Sequence, residues 1–134
     1  MLKPDKSEYA SYYETYFSEI PEGNILELYE KQINEVKEFF GGISSSKLNF
    51  RYAKGKWTVK EILGHIIDTE RIFAVRALCF SRNESQALPG FDENEYVSSS
   101  NFGDQTIASL LNQFELGRKS ALEMFRSFND EMWL

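Results

Sequence analysis

His65 is the only histidine in this 134-residue chain. It stands in the run WTVKEILGHIIDTERIF, residues 57–73, where an otherwise helical apolar pattern is broken by acids and an arginine. A neutral imidazole can hold a divalent metal or take up a proton as a general base. Residues three and four apart share one side of a helix. Glu61 with His65, or His65 with Asp68, therefore has the spacing to give two ligands from one helix. A catalytic metal of this kind usually takes three protein ligands and keeps a position open. The residues alone leave two readings of His65: a metal ligand or base, or a hydrogen-bonded histidine at the edge of a core. Acids at this spacing are common on helices, so the pattern does not choose between them.

At about 100° per residue, Glu61, Asp68, Thr69, Ile72 and Arg76 lie within a quarter turn or so of His65. Glu70 falls deeper in the apolar face than a charged residue should. A buried carboxylate needs a partner, either a backbone donor or an arginine, with Arg51, Arg71, Arg76 and Arg118 as the candidates. Cys79 lies on the same helix as His65, but at about 1.5 Å rise per residue it is roughly 20 Å away. That is too far for a Cys–His pair within one chain, and Cys79 reads as a small apolar residue. Ser98, Ser99 and Ser100 have no histidine near them in sequence.

The elements that must position these groups are helical. SEYASYYETYFSEIP places Tyr9, Tyr12, Tyr13, Tyr16 and Phe17 on one stripe of a short helix ended by Pro21. A first long helix begins at Asn24, with Glu27 as a capping-box-like partner. It carries Ile25, Leu28 or Tyr29, Ile33 or Gln32, Val36 and Phe40 inward, and stops at Gly41–Gly42 through a left-handed glycine. A loop follows, with a helical turn near residues 44–48 and a turn at Lys54–Gly55–Lys56. The second long helix starts at Thr58, boxed with Glu61, and runs to about Phe80 or Arg82. Its expected core face is Val59, Ile62, Leu63, Ile66, Phe73, Ala77 and Phe80. Residues 81–103 read as irregular, with Tyr96 and Val97 as candidates to pack inward. A third long helix starts at Asp104 and presents Ile107, Leu110, Leu111, Phe114, Ala121 or Leu122, Phe125 and Phe128.

These elements predict an all-α domain of the up-and-down four-helix-bundle type, with three long helices and a short N-terminal one. The fourth place falls to that short helix, to another chain, or to a continuation of this one; the apolar ending at Trp133 and Leu134 favours the last two. The chain reads as one domain over 1–134, incomplete at its C-terminal side.

Composition excludes several classes. The 15 basic and 21 acidic residues give a net charge of −6, and no basic block is present to neutralise phosphates, so nucleic acid is not an expected partner. No apolar run approaches the roughly 18 residues of a membrane span, and MLKPDKSEYA has no signal-peptide core. A single cysteine permits no intrachain disulfide. A cytoplasmic protein is expected.

The segments RYAKGKWTVKEILGHIIDTERIFAVRALCFSRNE, LPGFDENEYV and NF resemble the DinB-like superfamily, the damage-inducible and YfiT-like metal-dependent enzymes. (The lesion-bypass polymerase that shares the name is unrelated to this reading.) The resemblance runs from IPEGNILELYEKQ to FNDEMW, and GKWTVKEILGHIIDTERIF is its most specific block. It implies a four-helix bundle, often a homodimer, holding a divalent metal, commonly zinc or nickel, through three histidines. His65 matches the one on the second bundle helix; the other two form an H-x-x-x-H pair on the fourth. The implied chemistry is thiol transfer or hydrolysis of a small molecule, through a low-molecular-weight thiol or a water on the metal. Asp68, Glu70 and Arg76 would support that site or the structure around it. The H-x-x-x-H pair is absent here. The resemblance therefore implies a chain that cannot assemble the site alone and is inactive by itself, with or without a metal of its own. The alternative is a non-catalytic homodimeric binding or dimerisation module with no metal.

Overall fold

The computed structural model describes residues 4–133. Among them all regular structure is helical: α1 (Glu14–Ser18), α2 (Ile25–Gly41), α3 (Val59–Ser81), α4 (Glu93–Ser98) and α5 (Ile107–Arg126), with short 3-10 turns between. The all-helical expectation holds, and none of these helices is long and apolar enough to cross a membrane.

α5 is the centre of the bundle and packs against both α2 and α3. α2 runs antiparallel to it: Gly41 meets Leu111, Lys37 pairs with Glu115, and Glu30 pairs with Arg126. α3 runs the same way as α5, since Lys60 reaches Gly103, Arg71 reaches Gln113 and Arg82 reaches Met132. A parallel pair needs a returning connection, and residues 82–106 provide it, laying α4 and a 3-10 turn, Phe102–Asp104, along α3.

The core is built from Phe40, Leu63, Ile67, Phe102, Leu110 and Phe114. Gly64 sets its tightest contact: a Cβ there would lie 2.2 Å from the Phe102 ring. Thr58 starts α3 as expected, its hydroxyl accepting from the Glu61 N–H at 3.2 Å while the Glu61 carboxylate accepts from the Thr58 N–H at 2.6 Å. The turn at Lys54–Lys56 is closed by Gly55 at φ +78°.

Several local expectations are corrected. Asn24 caps α2 through the Leu26 N–H at 3.0 Å, and no return bond from Glu27 forms. Gly42 ends α2 in the right-handed region, at φ −78°, so no left-handed glycine stops the helix. α5 starts at Thr106, whose hydroxyl accepts from the Ser109 N–H at 3.1 Å, while Asp104 sits in the preceding 3-10 turn. The 81–103 segment contains α4, because Asp92 accepts from the Asn94 and Glu95 N–H groups and Val97 is buried; Tyr96 stays half exposed at 47%.

The aromatic N-terminal stripe is not one helix either. A 3-10 turn, Ser11–Tyr13, leads into the five residues of α1, whose main packing is onto that turn. Tyr12, Tyr13 and Tyr16 cluster with one another and remain exposed. On α3 the buried face is Leu63, Gly64, Ile67, Glu70 and Ser81. Ile62, Phe73 and Phe80, expected in the core, are 38%, 53% and 67% exposed. α5 covers one edge of a broad apolar arc, and this row lies on the other.

Candidate functional site around His65 and Glu70

His65 is held near the start of α3 by the capping box just upstream. Trp57 precedes the cap, and its ring lies 4.8 Å from the His65 ring, tilted by 42°. The Thr69 hydroxyl, one turn on, is 3.4 and 3.5 Å from Nδ1 and Nε2, at the outer limit of a hydrogen bond. The imidazole is half-buried, with Trp57 as one wall. Trp57 also lines a cleft of ≈ 270 Å³ with Tyr52, Lys56, Ile62, Glu93 and Asn94.

The two carboxylates whose spacing suits co-ligation are already engaged. Glu61 accepts from the Thr58 N–H and from Arg51, whose guanidinium nitrogens lie 2.8 and 2.9 Å away. Burial pushes its carboxyl up, but the Thr58 and Arg51 hydrogen bonds outweigh this and hold it below the usual range. Asp68 accepts from Arg71 at 3.1 Å, and the same guanidinium reaches Gln113 on α5. Arg76 turns away, donating to the Pro89 carbonyl at 2.9 Å and lying over the Phe73 and Phe91 rings. It anchors the returning segment to α3.

Glu70 is at the bundle interior. Its Oε1 accepts from Arg118 Nε at 2.6 Å and from the Tyr29 hydroxyl at 2.9 Å. Arg118 also donates to the Tyr29 carbonyl and to Gln32, and its guanidinium lies 3.5 Å over the Tyr29 ring. Burial raises the Tyr29 phenol well above its usual range; the Arg118 charge opposes this and Glu70 adds to it. The partner expected for Glu70 is thus present, drawn from α5. Tyr29 and Gln32 entered the sequence reading only as optional members of an apolar face. The signal that finds them is Glu70 itself, since a carboxylate inside a core needs donors from every helix facing it.

His65, Asp68, Glu70 and Arg76 therefore share α3 but are not brought to one point. Among the described residues no three His, Cys, Asp or Glu side chains gather closely enough to hold a metal ion. A single imidazole between an indole and a hydroxyl, beside carboxylates neutralised by arginine, does not fit a closed or catalytic metal centre. Cys79 is a free, half-buried thiol farther along the same helix.

The sequence pattern of the DinB superfamily matches residues 28–134. Among solved structures the fold is similar to that of YfiT from Bacillus subtilis, described as a probable metal-dependent hydrolase with an unusual four-helix bundle topology. That likeness has a TM-score of 0.73 at 17% identity and covers 98% of this chain and 70% of the other. At that identity it speaks for the fold. None of the curated proteins matches the chain.

Proposed function

This chain belongs to the DinB superfamily, and from that premise we propose that it is a helical bundle of metal-dependent hydrolase or thiol-transferase type whose chemistry needs ligands beyond its own described residues. The observation that carries this reading is the isolation of His65. It is the chain's only histidine, it sits in the block that resembles the family's first metal-ligand position, and its neighbouring acids are tied to Arg51 and Arg71. A zinc or nickel ion bound at such a position would act as a Lewis acid on a thiol or water. This chain's part would be to orient one imidazole through Trp57 and Thr69. A small-molecule or thiol substrate would approach past the Trp57 cleft. Metal content of the purified chain, with His65→Ala alongside, tests this reading. Substoichiometric metal, or an ion shared between copies, that is lost on substitution supports it, and one tightly held ion per chain that survives His65→Ala sinks it.

A second reading is favoured by one observation. Ile62, Phe73 and Phe80 leave an apolar row on α3 uncovered, as a homodimeric binding module would. Light scattering tests it: a dimer dispersed by Phe73→Lys supports this reading, and a stable monomer argues against it.

A further inference from the structure

A cleft lies at the other end of the bundle from His65, where the start of α2 meets the end of α5. It has a volume of ≈ 520 Å³, within the range of small-molecule sites, roughly 300–1,000 Å³. Its walls are Ile20, Pro21, Ile25, Leu28, Phe125 and Trp133. Phe125 and Trp133 stack at 5.6 Å and 20°, and Tyr29 meets Phe125 edge-on at 6.2 Å. It shares no residue with the Trp57 cleft.

Two polar side chains of this cleft are tied into the buried network. The Tyr29 hydroxyl donates to Glu70, Gln32 Oε1 accepts from Arg118, and one face of the Tyr29 ring is covered by that guanidinium. Glu19 also lines the cleft, and its carboxylate, the one formally charged group there, has no side-chain partner among the described residues. The free formal charge at the cleft is therefore negative, in a chain of net charge −6. Aromatic faces attract cations and repel anions. A lone carboxylate cannot by itself make an oxygen cage for a divalent metal.

We infer that this cleft binds an organic amine: a primary ammonium on an apolar or aromatic body, with the body against Leu28, Phe125 and Trp133 and the ammonium toward Glu19. The inference is independent of any chemistry at His65.

Calorimetry on the unmodified chain with phenylbutylamine and phenylbutanol tests it, since the two share a body and differ in charge. The amine is expected to bind at one site, about tenfold more tightly than the alcohol, from one ion pair and a cation–π contact. Glu19→Gln should bring the amine to the alcohol's affinity, and Phe125→Ala should weaken both. In a Trp57→Phe variant, the emission of Trp133, then the only tryptophan, should change with the same binding curve. No saturable binding, equal affinity for the two probes, or a preference that survives Glu19→Gln would overturn the inference. So would a Trp133 emission that follows protein concentration alone, which would mean that a second copy covers the cleft.

Discussion

Arg118 Nε lies 2.6 Å from Glu70 Oε1, and both side chains are more than nine-tenths buried. The pair ties α3 to α5, and Tyr29 and Gln32 draw in α2. The other Glu70 oxygen, Oε2, is buried without a hydrogen-bond partner among the described residues. A buried ion pair of this kind is costly to break from one side and cheap to replace as a whole. Glu70→Leu or Arg118→Met alone should each destabilise the chain by about 3–5 kcal/mol, because each strands a charge. The double variant should recover most of that loss. Urea unfolding of the three variants checks this, and losses that simply add would contradict it.

Gly64 and Gly117 should respond oppositely to alanine. At Gly64 the new Cβ would lie 2.2 Å from the Phe102 ring. Overpacking of this sort costs about 1–3 kcal/mol, more than the gain in helix propensity of about 1 kcal/mol. At Gly117, mid-α5, nothing lies within 4 Å of the new atom, so the propensity gain should remain. Thermal melts should show Gly64→Ala falling and Gly117→Ala rising. Phe102→Leu should partly rescue the former.

Glu115 carries a pH signature. Hydrogen bonds from Lys119 and then Lys37 pull its carboxyl down to about 2 from an ordinary value of 4.5. The folded-state value lies below the unfolded one, so the contribution is full above pH about 4.5 and is lost as pH falls toward about 2. Stability measured across that window should fall less steeply in a Lys37→Met, Lys119→Met variant. Equal slopes would mean that these contacts do not persist in solution.

Much of this architecture was legible in the sequence. The α3 capping box could be read from Thr58 and Glu61, because both partners lie within one turn. The partner of Glu70 could be narrowed to a backbone donor or one of four arginines, because buried charge must be answered. What periodicity does not supply is the choice between edges of a broad apolar arc. Phe73 and Phe80 fit the helix stripe as well as Ile67 does, and only the position of α5 separates them. α4 was hidden because it is short and buries only Val97. The start of α5 was misplaced because Asp104 and Thr106 are both good caps, and the Phe102 turn takes the first.

The site was legible in one respect only. His65 could be singled out as the one imidazole, and its helix spacing offered Glu61 and Asp68. That Arg51, from the preceding loop, and Arg71, on the same helix, engage both acids depends on where a loop folds back and which way long side chains lie. Residue spacing carries neither.

Metal analysis after dialysis against zinc or nickel, on the unmodified chain and on His65→Ala, decides whether His65 is a metal ligand that depends on others. His65 should bind metal only when further ligands are supplied. The unmodified chain should then hold substoichiometric metal or share one ion between copies, and His65→Ala should hold none. One tightly held ion per monomeric chain, unchanged by His65→Ala, would contradict it and place the metal elsewhere in the molecule.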